Sequence, residues 1–190
     1  EVALQVKNVA QWFHYYGGLA DKVSGRVVPM NKADVFNYTA YEPLGVVLAI
    51  TPWNSPLSLT AWKMAPALAA GNTIVVKPSE FTSASIIELV RLAKEAGFPD
   101  GVVNVVTGFG SEIGDVLVRH PLTAKVAFTG GELAGRRVNE AAAADFKPVT
   151  LELGGKSPNI VFDDADFEQA VKGVIAGIFT ATESAAIACA

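Results

Sequence analysis

The stretch GVVLAITPWNSP, residues 45–56, decides the fold, because it joins a continuous apolar run to a rigid polar turn. Residues 45–50 are almost wholly apolar, as is typical of a strand that is covered on both faces of a parallel sheet. Pro52 and Pro56 stiffen the turn that follows. Pro56 also stands where a helix begins, and a helix is predicted over residues 56–70 because Gly71 stands just beyond its end.

The same strand–turn–helix unit recurs along the chain as far as residue 153. The pattern predicts further strands at residues 73–77, 102–106, 125–129 and 149–153, and helices at residues 83–96, 111–119 and 134–144. Strands that alternate with helices form a parallel sheet with helices on both faces. The sequence therefore predicts an α/β fold, and ligands of such sheets bind at the carboxyl ends of the strands.

The two ends of the chain depart from this repeat. Residues 6–22 have the apolar spacing of a helix, and residues 22–41 predict two short strands around a turn at residues 29–32. Because this hairpin has little apolar bulk of its own, we expect it to pack on another part of the molecule or on another subunit. A strand at residues 159–162 and a helix at residues 166–179 are predicted to begin a second domain.

Composition argues against several classes of protein. Of 190 residues, 51% are hydrophobic and 18% are charged, which favours a folded core over a disordered chain. The net charge of −4, without a basic stripe, argues against nucleic acid as a partner. No apolar run approaches the ~20 residues of a membrane span, and the first residues lack the pattern of a signal peptide. A single cysteine cannot form an internal disulfide, so a cytoplasmic location is expected.

The first two strand ends carry polar side chains that suit a ligand. The turn after residue 50 holds the Asn54 amide as a fixed donor of the kind that an oxyanion needs, although on these residues alone a helix cap by Asn54 or Ser55 is the simpler interpretation. The second strand ends in KPSE, residues 77–80. There a carboxylate can accept hydrogen bonds from both hydroxyls of a ribose and the lysine can bind the same sugar. The alternative is a solvated strand end whose carboxylate faces a helix N-terminus.

The third and fourth strand ends are rich in glycine. GFGSEIG, residues 108–114, misses the dinucleotide fingerprint G-x-G-x-x-G by one position and is weak as a motif, yet its glycines allow a ligand to approach the backbone. FTGG, residues 128–131, is followed by Gly135 at a helix start. The spacing from Gly130 to Gly135 is similar to that of a phosphate loop. No Gly-Lys-Ser/Thr follows, however, which argues against a nucleoside triphosphatase. A helix N-terminus with small residues can still hold a pyrophosphate.

The fifth strand ends in LELGGK, residues 151–156, with Glu152 as its only carboxylate. A glutamate buried beside glycines is suited to work as a general base. The alternative is a structural carboxylate that accepts hydrogen bonds from nearby backbone N–H groups. Chance is a poor explanation for five consecutive strand ends that all carry side chains suited to a ligand.

Together these motifs resemble those of the NAD(P)-dependent aldehyde dehydrogenase superfamily in order and spacing, over essentially the whole chain. The resemblance implies a Rossmann-like NAD-binding domain at residues 44–155, preceded by a helix of that domain at residues 1–22 and a two-stranded oligomerisation arm at residues 23–43. Residues 156–190 would begin a truncated α/β catalytic domain. The chain also lacks an initiator methionine, and a complete member of the family is expected to start before residue 1 and to continue beyond residue 190.

The resemblance also implies roles for single residues. Asn54 would bind the oxyanion, Glu152 would activate water, and Leu153 would touch the nicotinamide end of the cofactor. Lys77 and Glu80 would hold the adenosine ribose, and Glu80 favours NAD, with NADP as the alternative, because a carboxylate repels a 2′-phosphate. The full set of expected cofactor contacts is Thr51, Trp53, Lys77, Ser79, Glu80, Gly110, Gly114, Phe128, Thr129, Gly130, Gly131, Gly135 and Leu153.

The chain departs from the family pattern at two places. After Gly130 it has Gly131-Glu132-Leu133, which removes a small polar side chain at the cofactor. The second departure is more serious, because Ala186 stands where the family places its nucleophilic cysteine, and Cys189 lies three residues beyond. Three residues displace a thiol by up to ~10 Å, and a misplacement of ~1 Å costs about 100-fold in rate. Cys189 is therefore expected to be a packed, inert thiol.

The reaction implied by the resemblance is oxidation of a small aldehyde to a carboxylic acid with NAD(P)+. A thiolate adds to the carbonyl to give a thiohemiacetal, loss of hydride gives a thioester, and water activated by Glu152 hydrolyses the thioester. An alanine cannot form that adduct. Three interpretations stay open: an inactive fragment of such an enzyme, an NAD-binding module without catalysis, and an assembly role for the arm. A dimer or tetramer is expected for the complete protein.

Overall fold

The structure is a computed structural model that describes residues 2–155, 158 and 160–180. Its strands are β1 (Val27–Val28), β2 (Asn37–Tyr38), β3 (Val46–Ile50), β4 (Thr73–Lys77), β5 (Val103–Val105), β6 (Thr123–Thr129) and β7 (Val149–Glu152). Its helices are α1 (Val2–Gly17), α2 (Pro56–Ala69), α3 (Ser83–Glu95), α4 (Gly110–Arg119), α5 (Glu132–Ala143) and α6 (Phe167–Thr180). None of the helices in this part of the chain is both long and apolar enough to cross a bilayer.

Five strands form one parallel sheet in the order β5-β4-β3-β6-β7. The chain builds outward from β3 through β4 to β5, and then returns to place β6 on the other side of β3. This reversal leaves a crevice between β3 and β6 at the carboxyl ends of the strands, which is where ligands of such sheets bind. The predicted α/β fold with a Rossmann-like parallel sheet is confirmed.

Alternate side chains of the central strands enter two separate cores. On one face Val47 and Ala49 pack with the side chains of α2 and α3, including Met64 and Ile86. On the other face Leu48 packs with Val126 and with buried side chains of α4 and α5 (Val118, Ala141 and Ala142). Because neighbouring residues of a strand point to opposite faces, both faces are apolar, and this explains the continuous apolar run at residues 45–50.

Two polar side chains tie connecting segments to the sheet. The Asn72 Oδ1 atom accepts hydrogen bonds from the N–H groups of Leu44 at 2.7 Å and Gly45 at 3.1 Å, while its Nδ2 atom donates to Ala67 O. Lys147 donates from Nζ to the carbonyl oxygens of Val118 and His120, each at 2.8 Å. Asn72 thereby links the end of α2 to the start of β3. Lys147 satisfies carbonyl oxygens at the C-terminal end of α4.

Helix α1 and the hairpin lie outside the sheet. Helix α1 packs against α2 and ends at Gly17, short of the predicted residue 22, because two successive glycines favour a turn. The hairpin is confirmed, since β1 and β2 pair antiparallel with Val27 opposite Tyr38. Residues 20–45 are all exposed, including Phe36 at 73% and Tyr38 at 61%.

The strand predicted at residues 159–162 is wrong for residues 160–162, which have no regular structure; Asn159 lies outside the described residues. A strand needs a neighbour to pair its backbone N–H and C=O groups, and none of the described strands pairs with this segment. Its side chains are exposed, with Ile160 at 67% and Phe162 at 72%. The helix predicted over residues 166–179 is present as α6.

Candidate functional site

Parallel pairing brings the five predicted strand ends to one edge of the sheet. Ile50 pairs with Lys77 on one side and with Phe128 on the other, and Thr129 pairs with Glu152. Of these ends, the turn after β3 lies centrally. Side chains that are up to about 100 residues apart in sequence therefore share one edge, as the alternating pattern predicts.

The turn after β3 is anchored to the neighbouring strand by Thr51. Thr51 is buried, its N–H donates to Lys77 O at 3.1 Å, and its Oγ1 accepts a hydrogen bond from the Thr60 hydroxyl at 3.4 Å. Trp53 is 64% exposed and Asn54 is half-buried. Ser55 is the N-cap residue of α2 but makes no hydrogen bond to the helix through its side chain. The interpretation that Ser55 caps α2 through its hydroxyl is therefore wrong.

The Lys77–Glu80 pair follows β4. Lys77 is only 4% exposed, and its Nζ lies 3.1 Å from Pro78 O and 3.6 Å from a Glu80 carboxylate oxygen. Ser79 is also buried, and its Oγ accepts a hydrogen bond from the N–H of Phe81 at 3.4 Å. A solvated strand end is therefore the wrong description for Lys77. The pair leaves the Glu80 carboxylate partly exposed beside a fixed positive charge.

Glycines after β6 make room for two larger side chains. A Cβ atom at Gly130 would lie 2.7 Å from the Phe128 ring, and one at Gly135 would lie 2.4 Å from Leu153 Cδ2. Both distances are shorter than real contacts allow. Gly135 therefore lets Leu153, just after β7, pack against the first turn of α5, while Gly131 at the N-cap of α5 has open space around it.

Thr129, Glu152 and Leu153 line one cavity of about 680 Å³ on the α2 face of the sheet. Helix α2 covers β3 and β4 and leaves this face of β6 and β7 open, so the cavity extends along the sheet from Glu152 to Leu44. Trp62 and Lys63 of α2 form its other wall. The predicted base and the predicted nicotinamide contact thus share one cleft.

Lys63 is the functional candidate that the sequence reasoning missed. It is the only charged residue of α2, and its Nζ donates to Thr129 Oγ1 at 2.6 Å. Burial lowers the pKa of the Lys63 ammonium below its usual 10.5, and the negative charge of Glu152 opposes part of that shift. A single charge in an otherwise uncharged helix that directly follows the turn of Asn54 was the signal that could have found it.

Glu152 itself is exposed, which corrects the prediction that it is buried beside glycines. The reason is its place at the end of β7, an edge strand whose α2 face is open. Its backbone O accepts a hydrogen bond from the N–H of Gly130 at 3.1 Å. Within residues 2–155, 158 and 160–180 no hydrogen bond to its carboxylate is present, so the structural-carboxylate interpretation finds no support there.

Gly110 and Gly114 lie apart from Glu152, in a groove of about 270 Å³ between α4 and α5. No atom lies within 4 Å of a Cβ placed at either glycine, so both expose backbone to open space. The predicted cofactor residues therefore fall into four groups: the turn after β3, the segment after β4, the ends of β6 and β7, and this groove. Ala186 and Cys189 lie outside the described residues. In the described part, no three His, Cys, Asp or Glu side chains could hold a metal ion.

Comparison with known proteins identifies the family that this arrangement matches. The model of the aldehyde dehydrogenase family matches residues 1–190. A (Z)-2-((N-methylformamido)methylene)-5-hydroxybutyrolactone dehydrogenase of Acinetobacter baylyi is 50% identical over 188 residues, which are 99% of this chain and 38% of that protein. The chain spans about a third of the length of the curated relatives it matches.

Solved structures agree with the sequence comparison. Betaine aldehyde dehydrogenase of Staphylococcus aureus, in complex with NAD+, is 44% identical with a TM-score of 0.86, over 93% of this chain and 35% of that one. An aldehyde dehydrogenase of Bacillus cereus, also an NAD+ complex, is 48% identical with a TM-score of 0.83, over 92% of this chain and 35% of that one. The resemblance inferred from the strand-end motifs is confirmed.

Proposed function

Because the chain belongs to the aldehyde dehydrogenase family, we propose that it is the cofactor-binding part of an enzyme that oxidises an aldehyde to a carboxylic acid with NAD+. The observation that carries the proposal is the cleft that Glu152, Leu153 and Thr129 share at the edge of β6 and β7. The relatives with bound NAD+ add support. The domain limits expected from the sequence, with residues 44–155 as the cofactor domain, form part of this proposal.

The cofactor would bind across the carboxyl edge of the sheet. Lys77 and Glu80 would hold the adenosine ribose, since the ammonium fixes the carboxylate that accepts the hydroxyl hydrogen bonds. The N-terminus of α5, with Gly131 free of neighbours, would face the pyrophosphate. Thr51, Trp53, Ser79, Phe128, Gly130 and Gly135 would shape the path between these points, and Leu153 would meet the nicotinamide, which supplies the hydride acceptor of the reaction.

Two residues of the chain would act on the aldehyde: Glu152 from the cleft, and Asn54 from the turn after β3, which is not among the residues that line the cleft. The Asn54 amide would donate a hydrogen bond to the oxygen that becomes negative when a thiolate adds. The exposed Glu152 carboxylate would take a proton from the water that hydrolyses the thioester, which releases the acid and the thiol. Lys63, whose Nζ donates to Thr129, would place a positive charge near that carboxylate below its lowered pKa. Above that pKa it would place a neutral amine there.

Binding of the dinucleotide is the direct test. We expect the 190-residue chain to bind NAD+ in a calorimetric titration, and Glu80→Ala to weaken that binding about 10- to 100-fold, because charge-assisted hydrogen bonds are lost. Glu95→Ala, which removes an exposed carboxylate of α3, is the matched control. Equal affinities of the Glu80 and Glu95 variants would contradict the ribose assignment.

Catalysis is tested on the polypeptide expressed from the whole gene. If that polypeptide turns over, Glu152→Gln is expected to retain a first burst of NADH and to lose steady-state turnover, because only thioester hydrolysis needs the base. Loss of the burst as well would show that Glu152 does not have this role. The 190-residue chain is expected to form no NADH; NADH formation that Cys189→Ser abolishes would overturn this expectation.

A non-catalytic NAD-binding module is the second candidate, and Ala186 favours it, because alanine has no nucleophile. DNA sequencing from the codon for Phe179 onward separates the two candidates. A frame that encodes a cysteine at the family's position supports the enzyme, and a confirmed alanine codon followed by a stop after Ala190 supports the module. A cytoplasmic location and assembly through the exposed hairpin are further parts of the proposal.

A further inference from the structure

The floor of the cleft has a polar group at each of its two ends. It consists of alternate residues of β6 and β7, namely Lys125, Ala127, Thr129, Thr150 and Glu152. Thr129 pairs with Glu152, and this pair forms the end of the floor at which the aldehyde would react. Lys125 lies four residues before Thr129 on β6, so its ammonium belongs to the other end. The two ends are separated by the small side chain of Ala127.

A hydrogen bond fixes the position of the Lys125 ammonium. Lys125 is half-buried, and its Nζ donates to Thr150 Oγ1 at 2.9 Å. Thr150 precedes Glu152 by two residues on the same face of β7, which corresponds to about 7 Å along a strand. The ammonium is therefore held roughly one short carbon chain away from the predicted base.

Lys125 also differs from the other charged residues of the cleft in its partners. The charged side chains of the lining are Lys63, Lys125 and Glu152. The negative charge of Glu152 acts on Lys63, whereas in the part of the chain that the structure describes Lys125 has only a hydroxyl as its hydrogen-bond partner. An ammonium has three donors, and Thr150 takes one of them. A carboxylate suits the others, because charge-assisted hydrogen bonds are roughly twice as strong as neutral ones.

The wall of the cleft opposite this floor is apolar. Leu59, Trp62 and Pro66 of α2 line it, and Trp62 is 48% exposed, so part of its ring is accessible to a ligand. An apolar wall of this kind favours methylene groups, because their burial removes apolar surface from water. The cleft thus combines two polar ends with an apolar passage between them.

From this geometry we infer that the cleft takes an aldehyde that carries a carboxylate at the far end of a short chain, an inference that rests on the proposed function. The aldehyde carbon lies beside Glu152, and the carboxylate accepts hydrogen bonds from the Lys125 ammonium and the Thr150 hydroxyl. An extended chain rises ~1.2 Å per bond, so a separation of about 7 Å is spanned by roughly four to six carbons. The product of the reaction is then a dicarboxylic acid.

Two unreactive amides test the inference on the 190-residue chain in an NMR titration. Glutaramate has an amide at one end and a carboxylate at the other, and pentanamide has a methyl group in place of the carboxylate. The amide carbonyl stands for the aldehyde and forms no imine with a lysine. We expect glutaramate to bind about tenfold or more tightly than pentanamide, because only glutaramate makes charge-assisted hydrogen bonds to Lys125.

The length of the ligand tests whether both ends are used. Malonamate also carries an amide and a carboxylate, but its three carbons are too few to reach from Glu152 to Lys125. We expect it to bind several-fold more weakly than glutaramate. Equal affinities of malonamate and glutaramate would mean that Lys125 attracts any small anion, which overturns the inference.

Substitution of Lys125 tests its role directly. Lys125→Met is expected to bring the ratio of the glutaramate and pentanamide dissociation constants close to one. Lys125→Arg should retain most of the ratio, because a guanidinium also binds carboxylates. Lys94→Met, which removes an exposed ammonium of α3, is the matched control and leaves the ratio unchanged within about twofold. Thermal unfolding of each variant checks that the fold is intact.

The failures of the inference and of the proposed function are distinguishable. Equal binding of glutaramate and pentanamide by the unaltered chain, no detectable binding of glutaramate, or equal effects of Lys125→Met and Lys94→Met each overturn the inference. These results leave the proposed function standing when the same chain binds NAD+. A chain that does not bind NAD+ overturns the proposed function together with the inference.

Discussion

The absence of a side chain at Gly135 determines where Leu153, the residue proposed to contact the nicotinamide, can pack. Gly135 gives Leu153 the space to pack on α5, because a Cβ there would lie 2.4 Å from Leu153 Cδ2. Gly114, in the middle of α4, has no such neighbour within 4 Å. The two glycines are alike in being helical, and they differ in whether a side chain of another element occupies the space above them.

Alanine at these two positions should have opposite effects on stability. Gly135→Ala is expected to lower the free energy of unfolding by about 1–3 kcal/mol, because Leu153 has to leave its position. Gly114→Ala should raise it by about 0.5–1 kcal/mol through helix propensity. Denaturant titration of both variants measures the difference. A Gly135→Ala variant that is more stable than the unaltered chain would contradict the prediction, because Leu153 could then leave its position without lowering the free energy of unfolding.

Lys63 should make stability depend on pH. Its pKa is lowered by burial, so between that lowered pKa and 10.5 the unfolded chain binds more protons than the folded one. Stability of the unaltered chain then rises with pH in this window. Lys63→Met removes the effect, so its stability advantage over the unaltered chain should shrink from pH 7 toward pH 10. Denaturant titrations across that pH range measure the stability difference between Lys63→Met and the unaltered chain, with Lys94→Met as the exposed control. A pH-independent difference would contradict the role of burial.

The burial and the contacts of single side chains were the properties that the sequence did not predict. The strand-end position of Glu152 followed from the pattern, but its exposure did not, because exposure depends on α2 covering β3 and β4 and not β7. Lys63 was missed for the related reason that its partner Thr129 is 66 residues away in sequence. Only the three-dimensional pairing of β3 with β6 brings them together.

Among the connecting elements, the segment before β3 depends on one amide. Asn72 accepts hydrogen bonds from two backbone N–H groups and donates one to Ala67 O. Asn72→Ala leaves these partly buried groups unsatisfied, so a loss of about 1–3 kcal/mol in the free energy of unfolding is expected. Asn139→Ala, at an exposed position of α5, should change stability by less than about 0.5 kcal/mol. Similar values for both variants would contradict the anchoring role.

Helix α4 depends in the same way on Lys147. The side chain is only 8% exposed, and its ammonium donates to two carbonyl oxygens at the end of the helix. Lys147→Met should cost about 2 kcal/mol, because charge-assisted hydrogen bonds and a favourable helix-dipole contact are lost. Lys94→Met, which breaks an exposed ion pair with Asp100, should cost less than about 1 kcal/mol. Thermal and denaturant unfolding measure the stability loss of each variant. A loss for Lys147→Met no larger than that for Lys94→Met would contradict the proposed contribution of the Lys147 hydrogen bonds.

For the five-stranded sheet and the helices that cover it, element boundaries were predicted to within about two residues, whereas α1 was predicted at residues 6–22 and lies at Val2–Gly17. The strand over residues 73–77 has its predicted bounds, and α2 ends one residue early. The exception at residues 160–162 has an apolar, β-branched sequence but no described neighbour. Local sequence specifies the tendency to extend, while a strand exists only where another strand completes its hydrogen bonds.

At the scale of the whole molecule, the exposed hairpin is the surface for which we propose self-association. Val27, Val28 and Tyr38 of the two-stranded sheet, together with Phe36 just before β2, expose 40–73% of their surfaces. Such ribbons are marginal alone and gain stability when a partner covers them. Phe36→Ser combined with Val27→Ser is expected to shift a dimer or tetramer to the monomer in sedimentation analysis, whereas Val116→Ser, at an exposed site on α4, leaves it unchanged. A monomeric unaltered protein would contradict the proposal.

The strand order also has a consequence for how the protein is made on the ribosome. The central strand β3 receives β4 on one side soon after it is synthesised, but its other neighbour, β6, follows roughly 70 residues later. At 5–20 residues per second this delay is roughly 4–14 s. During that time the edge of β3 that later pairs with β6 has unpaired backbone N–H and C=O groups. We therefore expect nascent chains to be prone to aggregation in this interval, so that slower elongation or removal of chaperones reduces the yield of folded protein.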